Sequence, residues 1–233
     1  MKVLGISCVT GLFLLASMGP AGAGTGTASA GGTVVTYSID EAIFPGPGCM
    51  QVPVRAAFSS FGSLELSASR AGSSNSVSAF LYGDARENVV GRIQVCASLH
   101  GAGTYIVRGT LNSDDVSGSI PEGMTFTVSA APSSITGLRA TQRGKNLSIT
   151  GKATAPSDRG QIGTSGTVTL VGFLPKSAGG KGKWISLGST FADEFGNFSA
   201  KAPTAQKLKG LKVKATLKGD SWFSDAVAQT TLR

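Results

Sequence analysis

The sequence predicts an all-β protein of two tandem sandwiches behind a cleaved leader, and three observations carry that expectation. Short runs of alternating apolar and polar residues recur between turns rich in glycine, proline and serine, with no long helical period. Gly, Ser, Thr, Val and Ala dominate and 15% of residues are charged, the composition of a turn-rich β protein rather than of a disordered chain. The charges also divide by region. Residues 24–132 hold five arginines, no lysine and eight carboxylates, a net of −3, whereas residues 133–233 hold fifteen Lys or Arg against five carboxylates, a net of +10. The change coincides with Ala130-Ala131-Pro132-Ser133-Ser134, a small-residue and proline stretch of the kind that joins domains.

Residues 1–23 read as a secretory signal peptide. Lys2 gives the positive start, Leu12, Phe13, Leu14 and Leu15 centre the apolar stretch, and Ala21-Gly22-Ala23 fits the small-residue cleavage rule. Ala28-Ser29-Ala30 offers a second cleavage site, so the cut is expected after Ala23 or after Ala30. A membrane span needs ~20 predominantly apolar residues, and this stretch is shorter and runs into Gly19-Pro20. Cys8 lies too early to carry a lipid at the cleavage site, and no hydrophobic tail follows the last strand-like run. The expectation is a secreted, extracellular chain that is held at a cell wall only non-covalently or through a partner. Residues 24–32, rich in Gly, Ala and Thr, are expected to form a flexible lead-in.

Without the leader, Cys49 and Cys96 remain, and in an oxidising compartment an even pair predicts one structural disulfide. A metal site or catalytic thiol is the alternative, but zinc takes three or four protein ligands and His100 is the one histidine at hand. The acidic sandwich is assigned to residues 33–131. Its strand-like runs are 33–39, 50–58, 64–66, 77–81, 89–99, 104–111 and 124–128, a spacing typical of a sandwich. Cys49 enters the second run and Cys96 lies in the fifth, so the bond is expected to bridge the two sheets as core. These residues carry no tryptophan between the cysteines and resemble no family beyond the sandwich architecture.

A linker at 132–134 leads to the basic unit at 135–233. Val168 and Leu170 share a face, as do Leu211, Val213, Ala215 and Leu217, while Lys212, Lys214, Thr216 and Lys218 take the opposite one. Asp193-Glu194-Phe195-Gly196-Asn197-Phe198 and Gly219-Asp220-Ser221-Trp222-Phe223-Ser224 read as turns. The order Gly-x-Val-x-Leu, Trp-x-x-Leu-Gly-Ser-Thr, Asp-x-x-Gly-Asn-Phe, Leu-Lys-Val-Lys-Ala-Thr-x-x-Gly-Asp-x-x-Phe resembles the Ig-like repeats of bacterial secreted and surface proteins. That resemblance covers residues 134–233 and implies an Ig-like β-sandwich acting as a spacer, adhesion module or accessory binding module.

The residues name no reaction, and the chain is expected not to be an enzyme. His100 sits in Leu99-His100-Gly101-Ala102-Gly103, a turn sequence, with neither a Gly-x-Ser-x-Gly elbow nor a His-Glu-x-x-His pair to work with. The carboxylate pairs Asp40-Glu41, Asp114-Asp115 and Asp193-Glu194 are adjacent in sequence, so their members point to opposite faces of a strand or serve turns. Calcium is conceivable at such loops, though the spacing is not that of an EF-hand, and no cofactor or metal is expected. Gly179-Gly180-Lys181-Gly182-Lys183 lacks the Ser or Thr and the helix of a phosphate-binding loop.

The lysines are the most suggestive feature. Lys201, Lys207, Lys209, Lys212, Lys214 and Lys218 fall within eighteen residues and form the candidate anion-binding set. Lysines also shield edge strands from pairing, which is the plainer explanation. Trp184 is expected in the core, and Trp222, in a turn, is the candidate ligand aromatic. Nucleic acid is not expected, because no aromatic residues interleave with the lysines. The expected function is a non-catalytic binding or adhesion accessory whose basic domain contacts an anionic wall polymer, polysaccharide or surface protein. A structural spacer and a carbohydrate-binding module are the alternatives, with an extracellular hydrolase of unfamiliar site behind them.

Overall fold

The computed structural model describes residues 24–120, 123–174, 182–204, 208 and 210–232; the leader, Lys207 and Lys209 lie outside them. Among the described residues every regular element is a strand, in keeping with the alternating patterns of the sequence. Residues 24–129 make two sheets. The first is antiparallel, in the spatial order β1 (Gly24–Ala30), β2 (Thr33–Ile39), β4 (Cys49–Phe58) and β7 (Asn88–Cys96). The second runs β3 (Ala42–Ile43), β10 (Thr125–Ser129), β8 (Gly103–Ser113), β5 (Gly62–Arg70) and β6 (Ser76–Gly83), with β9 (Val116–Ile120) also paired to β8.

Alternation decides what each strand buries. Val35, Tyr37 and Ile39 of β2, Leu64 and Leu66 of β5, and Tyr105 and Val107 of β8 are all buried, while the residues between them face out or lie half-covered. Tyr105 stacks on Phe126 of β10 at 5.0 Å between ring centres. A fully buried Leu or Val stabilises by about 1.5–3 kcal/mol, so these inward rows supply most of the packing energy. At one end the two sheets are joined by hydroxyls: Thr33 Oγ1 of β2 lies 2.6 Å from Ser113 Oγ of β8 and 2.6 Å from Ser60 Oγ.

Residues 134–231 make two further sheets. One has β12 (Asn146–Ser157) at its centre, paired with β11 (Ser134–Arg143), β13 (Gly160–Gly163) and β16 (Asn197–Pro203). The other runs β15 (Lys183–Ala192), β14 (Gly166–Leu174), β17 (Lys212–Leu217) and β18 (Ala226–Thr231), antiparallel throughout. Their buried faces meet over Leu147, Ile149, Val168, Leu170, Val213 and Leu217. The Asp193 turn forms as its sequence implies: Asp193 Oδ1 accepts the N–H of Phe195 (3.0 Å) and of Asn197 (2.8 Å).

Three expectations are corrected by the structure. Residues 24–30 are not a flexible lead-in but a full strand, in seven-residue register with β2, and Ala28 and Ala30 are buried. Small side chains conceal the strand pattern, yet on an edge strand they let the chain lie close to the ring of Tyr37. The disulfide joins Cys49 and Cys96, but the two residues are direct partners on neighbouring strands of one sheet. It therefore pins the end of the β4–β7 ladder instead of crossing between sheets, with Cys49 on the surface and Cys96 buried. Trp222 is not an exposed turn residue: it is 7% exposed and meets Phe223 edge-on at 5.1 Å.

The place of Trp222 also bears on how the two halves join. Residues 131–133, which overlap the linker expected at 132–134, are bonded along residues 221–224. Ala131 forms a parallel bridge with Phe223, its N–H donates to Trp222 O (2.8 Å), and Ser224 N–H donates back to Ala131 O (2.9 Å). Ser133 Oγ donates to Ser224 O, and Ala102 N–H to Ser221 O (2.8 Å), with Arg70 Nη1 bracing the Ala102 carbonyl (2.9 Å). A second tie runs from Asp158 N–H to Pro45 O (3.3 Å). The loop between β17 and β18 is thus a seam between the acidic and basic halves.

Candidate functional site

The β15–β14–β17–β18 sheet presents its outer face without a single carboxylate, since none of its four strands contains Asp or Glu. Lys212 and Lys214 alternate with the buried Val213 and Ala215, so both point outward from β17, and Lys218 follows at the strand's end. Side chains two apart on a strand are spaced by about 6.8 Å. That is less than the Debye length of about 8 Å at physiological salt, so the fields of Lys212 and Lys214 add. Among the described residues the ion pair formed is that of Arg55 with Asp40, in the other half, and these lysines have none.

Edge protection does not account for them. β17 is hydrogen-bonded on both sides, to β14 and to β18, so its lysines stand in the middle of a sheet and not on a rim. The expected set does not form one patch, however. Lys201 lies on β16, opposite Ser148 in the neighbouring sheet, where Lys152, Arg139 and Arg143 also face outward. The structure therefore keeps Lys212 and Lys214 side by side, leaves Lys218 four residues further along the chain, and sends Lys201 to the opposite face; Lys207 and Lys209 fall outside the described residues.

Sequence reasoning missed the aromatic part of the β17 face. Trp184, expected in the core, is 49% exposed, the reverse of Trp222. Register explains it. Trp184 pairs with Phe173, and Phe173 with Lys212, so the three residues form one cross-strand row. Phe173 is half-buried at 5.3 Å from the indole, and its ring occupies the space a side chain at position 182 would need, which glycine leaves free. At the other end of the sheet Phe191 pairs with Thr167 and is also exposed.

Trp184 and Phe191 are seven apart, so in a regular strand they would point to opposite faces. A bulge puts them on the same one: the β14–β15 register shifts between Leu170 and Val171, opposite Gly188, whose φ of 99° is a left-handed conformation that suits glycine. The interleaving of rings and lysines that the linear sequence lacks is produced by pairing between strands.

The remaining polar groups are occupied locally. His100 closes the turn after β7: its ring Nδ1 accepts the Cys96 N–H (2.9 Å) and its backbone N–H donates to Cys96 O (2.8 Å). Partial burial lowers its pKa from the usual 6.5, which favours the neutral ring that accepts this bond. No group of three or more His, Cys, Asp or Glu gathers among the described residues. The depression beside the Asp158–Pro45 bond, about 300 Å³ and bordered by Pro45, Cys49, Asp158 and Arg159, holds a single carboxylate. No described helix is long and apolar enough to cross a membrane. No protein-family model matches the chain, and no curated protein resembles it closely enough to count as a relative.

Proposed function

We propose that the protein is a secreted, non-catalytic accessory that binds an anionic polymer at the cell surface through the outer face of the β15–β14–β17–β18 sheet. Lys212 and Lys214 carry this reading, because they lie side by side on an interior strand whose sheet has no carboxylate to neutralise them. A surface of one sign raises the local concentration of oppositely charged polymer and speeds its capture. In this reading the two halves are tandem sandwiches, the acidic one pinned by Cys49–Cys96 and the basic one Ig-like, as its motifs suggest. Export rests on the leader sequence. The pairing and burial of residues 24–30 favour cleavage after Ala23, since a cut after Ala30 would remove all of β1.

The test is retention of the full mature chain on isolated cell walls during a salt titration, beside the variant K212E/K214E. Retention should fall steeply with salt and should be weak for the variant at every salt concentration. Retention that ignores salt, or a variant that binds like the wild type, defeats the proposal. The hydrogen-bonded seam supports a second reading, a rigid spacer, which expects K212E/K214E to be silent in every binding assay.

A further inference from the structure

The row Trp184–Phe173–Lys212 places an exposed ring and an unpaired cation at a fixed separation. Trp184 and Lys212 stand two strands apart, about 10 Å. That gap is filled by Phe173, not by a polar group, and Lys214 occupies the next outward position on β17. A Trp in such a place offers a flat apolar face, while the lysine stem bends freely and carries a point charge. A ligand matched to both must be flat and apolar on one side and anionic at its edge.

We propose that this row is a subsite for a carboxylate-bearing pyranose of an acidic polysaccharide. The axial C–H face of the sugar stacks on the Trp184 indole, and the ring carboxylate points across β14 to Lys212 and Lys214. Phe173 holds the indole in place, and the Gly188 bulge returns Phe191 to the same face one sheet-length away, beside Thr167. The residues toward the Phe191 end give the chain a second ring to pass over. Free phosphate polymers offer charge without a stacking face and would use only the lysines, whereas the sugar uses the whole row. A bilayer would also engage the indole, and the vesicle arm of the test separates it from the sugar. This inference rests on the polyanion reading above and adds the ligand class to it.

The experiment measures binding of the full mature chain to polygalacturonate, to inorganic polyphosphate of similar charge, and to phosphatidylglycerol vesicles. The wild type is compared with W184A, W184Y and K212E/K214E. Polygalacturonate binding should weaken about tenfold in W184A, the loss of one stacking contact, and should be largely restored in W184Y. Polyphosphate binding should change by less than about twofold in W184A, because Coulomb attraction to the lysines is untouched. K212E/K214E should lose both polymers. Equal losses on both polymers in W184A, or no loss on either, overturn the sugar subsite while leaving the charge reading in force. Tighter binding to vesicles than to polygalacturonate also overturns it. If K212E/K214E binds every probe like the wild type, the underlying reading fails as well.

Discussion

Replacing Trp222 with alanine tests the seam directly. The side chain is 7% exposed and lies edge-on to Phe223, which is itself buried. Truncating a buried Trp to Ala costs about 3–5 kcal/mol through lost transfer energy and the cavity that remains. The aromatic contact accounts for about 0.5–1.5 kcal/mol of that sum. The backbone bond from Ala131 N–H to the residue 222 carbonyl does not depend on the side chain, so the loss isolates packing. For a chain of this size each kcal/mol lowers Tm by about 2–4 °C, so the variant should melt about 6–20 °C lower. Guanidinium titration followed by circular dichroism gives the free energy. The chain has two tryptophans, so a W184F background leaves Trp222 as the single emitter and reports burial independently. A cost below about 0.5 kcal/mol, the usual value for an exposed site, would refute the placement of Trp222 in the seam.

Two further outcomes follow from the core. Cys49 and Cys96 close a loop of 47 residues, so C49A/C96A should cost up to about 4 kcal/mol; because Cys49 is on the surface, dithiothreitol should lower the Tm of the wild type toward that of the variant, and a Tm indifferent to reductant would contradict this. Thr164 is wholly buried and its Oγ1 has no hydrogen-bond partner, so T164V should stabilise by about 1 kcal/mol or more in a denaturant titration, whereas a destabilised variant would mean that the hydroxyl holds a structural water.

Much of the fold could be read from one strand at a time. β17 and β2 alternate cleanly, and their buried faces are the ones that period two assigns. The Asp193 turn is legible too, because its bonds lie within five residues. What escaped depends on partners distant in sequence. Nothing along the chain shows that β4 and β7 are neighbours, so the sequence alone cannot tell a bond between sheets from the bond within one sheet that forms. Trp184 and Trp222 exchanged places for the same reason: a turn looks exposed until another part of the molecule covers it, and a strand residue looks buried until its parity is known. β1 was hidden by composition, since Gly, Ala, Thr and Ser give no apolar alternation to read. In the candidate site the lysines of β17 were visible, and the aromatic residues facing them came from β14 and β15 through register alone.

The seam has a mechanical side. A load passing between the halves does not travel along residues 130–133 alone, because Ala131 and Ser133 are fastened to the loop at 221–224. That loop is the hairpin connection of β17 and β18, and β17 carries Lys212 and Lys214. Tension between a tethered acidic half and a polymer held on the lysine face would therefore be shared by one hairpin, entering at its turn and leaving through its strands. The lysine-bearing strand and the bonded junction are thus parts of the same hairpin.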